Sequence, residues 1–305
     1  MQAHTVQLWW NAKRLAATAV TVVLGFTIVP VQASNNSEDL VSLTRSVIAT
    51  YATIVDANYQ DTIATATALA DSIEAFVADP SAAALNRARR AWVEARVPYT
   101  QTEAFRFYDG PIEAVEGLIN SWPIDENLID YVDGQPDAGI INKPHDFPRI
   151  TDDLLVTLNE KDGEKNITAG FHAIEFLLWG QDLNEQGPGD RSYTDYLDAD
   201  SPHAARRREY LRLASRLLVK NLESVAVEWA PNSTSNYRAR FVGMPVDEAL
   251  ASILKGIGIL SGAELAGERL TVAGDARRED RLHGVRRLRC RDGSADVDST
   301  ARLRD

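Results

Sequence analysis

A histidine and a glutamate three residues apart are the side chains in this sequence best suited to binding a metal ion. His172 and Glu175 lie within an apolar run that extends from Phe171 to Trp179. On an α-helix, side chains at this spacing lie on the same face, so the imidazole and the carboxylate can converge on one cation. A buried carboxylate without a partner is costly, so Glu175 requires a cation, a proton or His172 itself. The spacing therefore leaves two interpretations open, a metal site and an ordinary ion pair.

A second carboxylate in an unusual setting is that of Glu103, which is followed by Phe105, Arg106 and Phe107. The aromatic neighbours indicate that this group is not fully solvated. Glu103 and Arg106 share a helical face, which favours a structural ion pair between them. A metal ligand contributed by a second helix is equally compatible with the sequence. Two carboxylates and one imidazole form a donor set that suits iron as well as zinc.

The elements that must position these residues are helices. Apolar side chains recur at spacings of three and four from Leu40 to Val77, and again in long segments at 201–229 and 245–269. Asp79-Pro80-Ser81 predicts the start of a further helix. We assign the run of three arginines at 206–208 to the solvated face of its helix. No alternating strand pattern occurs, so the sequence predicts an all-α fold.

Residues 1–33 have the features of a secretory signal peptide. Lys13 and Arg14 precede an apolar run, and Ala33 is a small residue at the expected cleavage position. The apolar run is too short to span a bilayer comfortably. We therefore expect cleavage after Ala33 and export to the periplasm of a mature chain that is not an integral membrane protein.

The composition limits the kinds of molecule that this protein is expected to bind. The formal net charge of -12 disfavours nucleic acid and anionic membranes and is compatible with cations. Cys290 is the single cysteine, so an internal disulfide is impossible. The sequence contains neither a phosphate-binding glycine loop nor the His-Glu-x-x-His pattern of zinc proteases.

Two longer patterns contain the candidate ligands. Gly170, His172 and Glu175 form Gly-x-His-x-x-Glu, and the same segment continues as Phe-Leu-Leu-Trp-Gly-Gln-Asp. Upstream, a Trp-x-x-x-Arg-x-x-Tyr segment leads into a Gln-x-Glu-x-Phe-Arg-Phe segment that ends at Phe107. Together these patterns resemble the imelysin family of bacterial periplasmic and cell-surface proteins. The resemblance extends from about Leu40 to Glu268.

The resemblance implies two packed helical bundles with a functional site near their junction. Related domains occur in EfeO-type periplasmic iron-uptake proteins, family members are often iron-regulated, and the family also carries a historical peptidase label. We therefore expect a periplasmic protein that binds a metal ion, iron in preference to zinc, through Glu103, His172 and Glu175. It would contribute to iron acquisition with other iron-uptake components of the cell envelope. The alternatives are a metallopeptidase that uses the His-x-x-Glu pair as metal ligands, and a helical module that binds a non-metal ligand.

The predicted mature chain has three parts. Residues 34–160 form a first helical bundle with a long loop at 110–148, and residues 161–273 form a second bundle. Residues 274–305 contain nine Arg and no aromatic residue, which predicts a disordered basic tail. The resemblance implies a different continuation after this point, so we expect a reading-frame change or a truncation near Ala273; the alternative is a genuine basic tail. The second bundle is then incomplete, and Ile253, Ile257 and Leu260 are expected to be partly exposed.

Overall fold

The computed structural model describes residues 34–183 and 187–271. Within these ranges the chain forms helices and connecting loops, with one isolated antiparallel bridge between Val132 and Gln135 and no β-strand. The prediction of an all-α fold is therefore confirmed for this part of the chain. The predicted signal peptide and basic tail lie outside the described residues.

The helices follow one another along the chain. The α-helices are α1 (Ser34–Ala78), α2 (Ala82–Thr102), α3 (Glu126–Ile129), α4 (Gly139–Asn142), α5 (Asp152–Leu158), α6 (Gly170–Trp179), α7 (Ala204–Trp229), α8 (Tyr237–Gly243) and α9 (Val246–Ile259). Short 3₁₀ helices cover Glu103–Phe105, Pro111–Ala114, Glu116–Leu118 and Tyr193–Tyr196. A π-helical segment, Leu260–Thr271, continues α9 without a break.

The body of the fold is formed by α1, α2 and α7, since α1 packs against both of the other helices. Val55, Tyr59, Leu69 and similar residues at helical spacing along α1 are fully buried. The first turns of α1 contribute little to this core, because Leu40 and Leu43 are largely exposed. Burial of the apolar stripe is the main source of stability for such helices, so α1 is anchored through its middle and end.

A buried cluster of one carboxylate and two guanidinium groups joins the segment after α3 to α7. Asp130 Oδ2 accepts hydrogen bonds from Arg191 Nη1 and Arg207 Nε, each at 2.6 Å. The expectation that Arg207 lies on the solvated face of α7 is wrong, since only 1% of this residue is exposed. Its neighbours Arg206 and Arg208 are half-buried. A buried guanidinium without a partner is costly, and Asp130 provides a charged partner for both arginines here.

The segment 110–148, predicted as a long loop, contains short helices that pack onto the body. Asp125 caps α3 by accepting a hydrogen bond from Asn127 N at 3.1 Å. The carbonyl groups of Ile140 and Ile141 accept hydrogen bonds from Arg206, each at 2.8 Å. These contacts fix the segment against α7, so that it can form a wall of the site on α6.

Nearly all buried apolar residues of the described chain belong to one continuous cluster. Its members come from both sides of residue 160, among them Phe76 and Trp92 on one side and Phe171 and Leu218 on the other. The division into two bundles at residue 160, and the incompleteness of the second bundle, stay predictions.

The α9 helix is packed on one side only. Ile253 is buried and Leu260 is half-buried, while Ile257 is exposed. Two described segments, Glu38–Ala78 and Val246–Thr271, are long and apolar enough to cross a membrane by length and composition alone. Core helices of soluble proteins share that property, and Glu38–Ala78 includes the buried stripe of α1.

Candidate functional site

The helix that carries the candidate ligands begins at a glycine whose conformation and surroundings exclude other residues. Gly170 has a φ of +85°, and a Cβ at this position would lie 2.5 Å from Ile119 O. The same carbonyl accepts a hydrogen bond from Phe171 N at 2.8 Å. The first turn of α6 is therefore pressed against the backbone of the 110–148 segment, and only a residue without a side chain permits this approach.

The α2 helix binds α6 at both ends through side chains on one face. Trp92 Nε1 donates a hydrogen bond to Phe171 O at 2.9 Å. Arg89 donates two hydrogen bonds to Leu178 O, from Nε at 3.1 Å and from Nη2 at 2.9 Å. Arg96 lies over the Phe171 ring, with its Cζ 5.0 Å from the ring centroid. These contacts fix both the position and the rotation of α6, and hence the direction of its polar side chains.

The two candidate ligands on α6 contact one another. His172 Nδ1 lies 2.9 Å from Glu175 Oε2, and the two side chains are 5% and 16% exposed. The ring of Trp122, from the 110–148 segment, has its centroid 5.1 Å from that of His172. The prediction that an imidazole and a carboxylate share one face of this helix is confirmed by this geometry. The pair lies at the edge of the core, with its carboxylate nearer to solvent.

The third candidate, Glu103, is also buried, but its partner differs from the one that the sequence suggested. Arg269 Nη2 donates a hydrogen bond to Glu103 Oε2 at 2.8 Å. Arg106 instead forms an ion pair with Glu116 at 3.2 Å. The Glu103–Arg106 pair considered above is therefore not formed. Glu103 Oε1 is buried and has no hydrogen-bond partner within the described ranges.

Arg96 links the two parts of the site electrostatically. Burial lowers the pKa of Arg96, while the nearby charges of Glu103 and Glu175 act in the opposite direction. Arg96 Nη1 also donates a hydrogen bond to Asn120 Oδ1. Both carboxylates thus lie within electrostatic range of one buried guanidinium.

The described residues do not contain a preassembled metal centre. In residues 34–183 and 187–271, no group of three or more His, Cys, Asp or Glu side chains is placed so as to hold a metal ion. The structure brings His172 and Glu175 together and places Glu103 in contact with Arg269. A three-ligand site stays a prediction.

Two residues that contact this site are not among the candidate ligands predicted from the sequence. Asn120 and Trp122 belong to the segment 110–148, where a polar or aromatic side chain gives no periodic signal of what it faces. Asn120 bonds to Arg96, and Trp122 contacts His172. Only the packing of this segment onto α2 and α6 reveals them.

The family model described as Peptidase_M75, imelysin, matches residues 55–289 of this sequence. The chain belongs to the imelysin family. The match runs beyond Ala273, the point at which we expected this imelysin sequence to depart from the family.

This imelysin chain is 30% identical over 147 residues to iron-regulated protein A of Synechococcus elongatus. The aligned region covers 48% of this chain and 34% of that relative, so the chain spans about a third of the relative's length. A crystal structure of an iron-regulated protein A precursor from Parabacteroides distasonis matches with a TM-score of 0.59 and 21% identity, over 83% of this chain and 66% of that one. An imelysin-like protein from Psychrobacter arcticum matches with a TM-score of 0.51 and 16% identity, over 73% and 62% of the two chains. At these identities the structural likeness establishes a shared fold.

Proposed function

We propose that this imelysin-family protein binds an iron ion in the periplasm and contributes to iron acquisition. The proposal rests on one observation, the contact between His172 and Glu175. Nδ1 of His172 and Oε2 of Glu175 are 2.9 Å apart, and both side chains are largely buried. An imidazole and a carboxylate on one helical face can bind the same cation. The ion would be held by this pair together with Glu103, and it would neutralise their negative charge.

The chemistry of the third group supports the proposal. Glu103 Oε1 is buried without a hydrogen-bond partner among the residues described. An unsatisfied buried carboxylate oxygen is unfavourable, and a bound cation removes that cost. Ferrous and ferric iron both accept oxygen and nitrogen ligands of this kind, and zinc accepts them too.

The proposed compartment and role rest on separate grounds. The features of residues 1–33 support export to the periplasm. The relative from Synechococcus elongatus is named an iron-regulated protein, which supports iron rather than zinc as the ion. Partners among the iron-uptake components of the cell envelope are part of the same proposal.

A metallopeptidase needs more groups than this proposal does. A catalytic zinc ion usually takes three protein ligands and a water molecule, and hydrolysis also needs a general base. With Glu103, the proposed ion site would use the same number of protein ligands, so a peptidase would need a general base in addition. Binding of an ion therefore requires fewer additional groups than cleavage of a peptide. Degradation of an unfolded protein substrate that is blocked by a chelator and abolished by Glu175→Gln would favour the peptidase instead.

The proposal is tested by calorimetric titration of the mature protein with Fe²⁺, under anaerobic conditions, and with Zn²⁺. His172→Ala should lower the affinity at least tenfold, on the order expected when a metal site loses a supporting group or a ligand. The affinity should also fall at acidic pH, because a protonated imidazole cannot bind a metal ion. The matched control is His145→Ala, since His145 is exposed and lies in another part of the chain.

The control should bind like the wild type. Equal affinity of the wild type and His172→Ala would mean that the pair on α6 is a structural ion pair. Tighter binding of Zn²⁺ than of Fe²⁺ would keep the site but contradict the assignment to iron.

A further inference from the structure

The contact between Arg269 and Glu103 joins two regions that differ in how well they are packed. Glu103 follows α2 and is 3% exposed. Arg269 lies in the last turn of the π-helical segment Leu260–Thr271, and 30% of its side chain is exposed. A guanidinium from a loosely packed segment thus reaches a buried carboxylate, with a hydrogen bond of 2.8 Å.

The segment Leu260–Thr271 has few other attachments. None of its residues is buried. The hydroxyl groups of Ser261 and Thr271 donate hydrogen bonds to Gly258 O and Ala266 O, within the same continuous helix. A Cβ added at Gly262 would meet no atom within 4 Å. Segments with few buried contacts open at low free-energy cost, so the charge-assisted bond from Arg269 is an important restraint on this one.

A metal ion bound to Glu103 Oε1 would share one carboxylate with the guanidinium of Arg269, which is bonded to Oε2. Both are cations, and they repel one another strongly at the short distance that a shared carboxylate imposes. We propose that Arg269 is a built-in competitor for the cation at Glu103, and that binding of the ion releases the segment Leu260–Thr271. This inference rests on the proposed function, since it requires Glu103 to be a ligand.

The coupling between the two events is reciprocal. If the ion weakens the Arg269–Glu103 contact, then loss of that contact strengthens binding of the ion by the same factor. Arg269→Gln keeps a hydrogen-bond donor and removes the positive charge. We expect this variant to bind the ion about tenfold more tightly than the wild type, within the usual range of coupling between sites. Arg269→Lys keeps the charge and should bind like the wild type.

The experiment combines calorimetry with hydrogen exchange read by mass spectrometry on the full-length mature chain. Zn²⁺ and Fe²⁺ are titrated into the wild type, Arg269→Gln, Arg269→Lys and the control Arg240→Gln. Arg240 is a suitable control because it is 62% exposed and lies 3.9 Å from its partner Glu228. Exchange of the amides of Leu260–Thr271 should become faster in the wild type when the ion is added. In Arg269→Gln it should be fast already without the ion.

Failure of this inference is distinguishable from failure of the proposed function. Equal affinity of the wild type and Arg269→Gln, with exchange of the segment unchanged by the ion, would overturn the competition and leave the metal site standing. Absence of binding by all four proteins, each with a wild-type circular dichroism spectrum, would overturn both. Glu103→Gln provides a further check, because it should bind the ion weakly and yet show fast exchange of the segment.

Discussion

Replacement of Gly170 by Ala places a methyl group where the structure has backbone. The added Cβ would lie 2.5 Å from Ile119 O, 2.7 Å from Ile119 C and 3.1 Å from Leu118 O. These are main-chain atoms, which cannot rotate away as the end of a side chain can. The residue also has a φ of +85°, a conformation that is unfavourable for alanine. The substitution must therefore move either the first turn of α6 or the segment that contains Ile119.

The loss of stability expected for Gly170→Ala has two contributions. A non-glycine residue at positive φ costs about 1–3 kcal/mol. Separation of the two backbones also weakens the hydrogen bond from Phe171 N to Ile119 O, which measures 2.8 Å and contributes about 1 kcal/mol. We expect Gly170→Ala to lower the free energy of unfolding by about 2–4 kcal/mol. Because His172 is two residues further along the helix, the displacement should also weaken binding of a metal ion.

The assay is urea denaturation followed by circular dichroism, with Gly258→Ala as the matched control. Gly258 lies within α9, and a Cβ there would meet nothing within 4 Å. Alanine favours a helix over glycine by about 1 kcal/mol, so the control should be as stable as the wild type or more so. If Gly170→Ala is destabilised by less than about 1 kcal/mol, the close approach of the two backbones does not exist as described.

Two further predictions concern contacts that hold the site in place. Burial raises the pKa of Asp130, but Arg191 and Arg207 outweigh this effect and hold it at about 2. Its ionised form therefore stabilises the fold above the ordinary pKa of about 4, and this contribution is lost as the pH falls through 2. Urea titrations between about pH 5 and pH 2 should show a steeper loss of unfolding free energy in the wild type than in Asp130→Asn. At pH 5 the variant should already be less stable by about 3–5 kcal/mol. Parallel pH profiles of the two proteins would contradict this. Trp92→Phe removes the hydrogen bond to Phe171 O and should cost about 1–2 kcal/mol in the same assay, whereas an unchanged midpoint would mean that this bond does not hold α6.

Much of the helical framework could be predicted from local patterns. The segment predicted at 201–229 is α7, Ala204–Trp229. The pattern from Leu40 to Val77 forms one unbroken helix, which agrees with the lack of Gly and Pro between Ser34 and Asp79. Ser81 caps α2 by accepting a hydrogen bond from Ala84 N at 3.3 Å, as the Asp-Pro-Ser boundary indicated. These features depend on neighbours within a few residues, which is why periodicity and capping residues identify them.

The hydrogen-bond partners of the polar residues could not be predicted from local sequence patterns. The charge of the arginines at 206–208 predicts exposure to solvent, because charged residues are mostly exposed. Arg207 nevertheless bonds to Asp130, which lies 77 positions earlier in the chain. Short helices such as α3 and α4 carry too few turns for a periodic signal. The sequence therefore predicts a loop at 110–148, although Trp122 and Asn120 of this segment contact the site.

The sequence by itself determined that His172 and Glu175 share one face of an apolar helix, because a spacing of three residues fixes that geometry wherever the helix lies. It also determined that Glu103 has aromatic neighbours and is a poor candidate for a solvated surface. Only the tertiary structure decided that Glu103 is paired with Arg269, 166 positions away, rather than with Arg106 on its own turn. The physical reason is that a charged side chain bonds to whichever opposite charge the packed helices bring within about 3 Å, and a one-dimensional pattern carries no information on that distance.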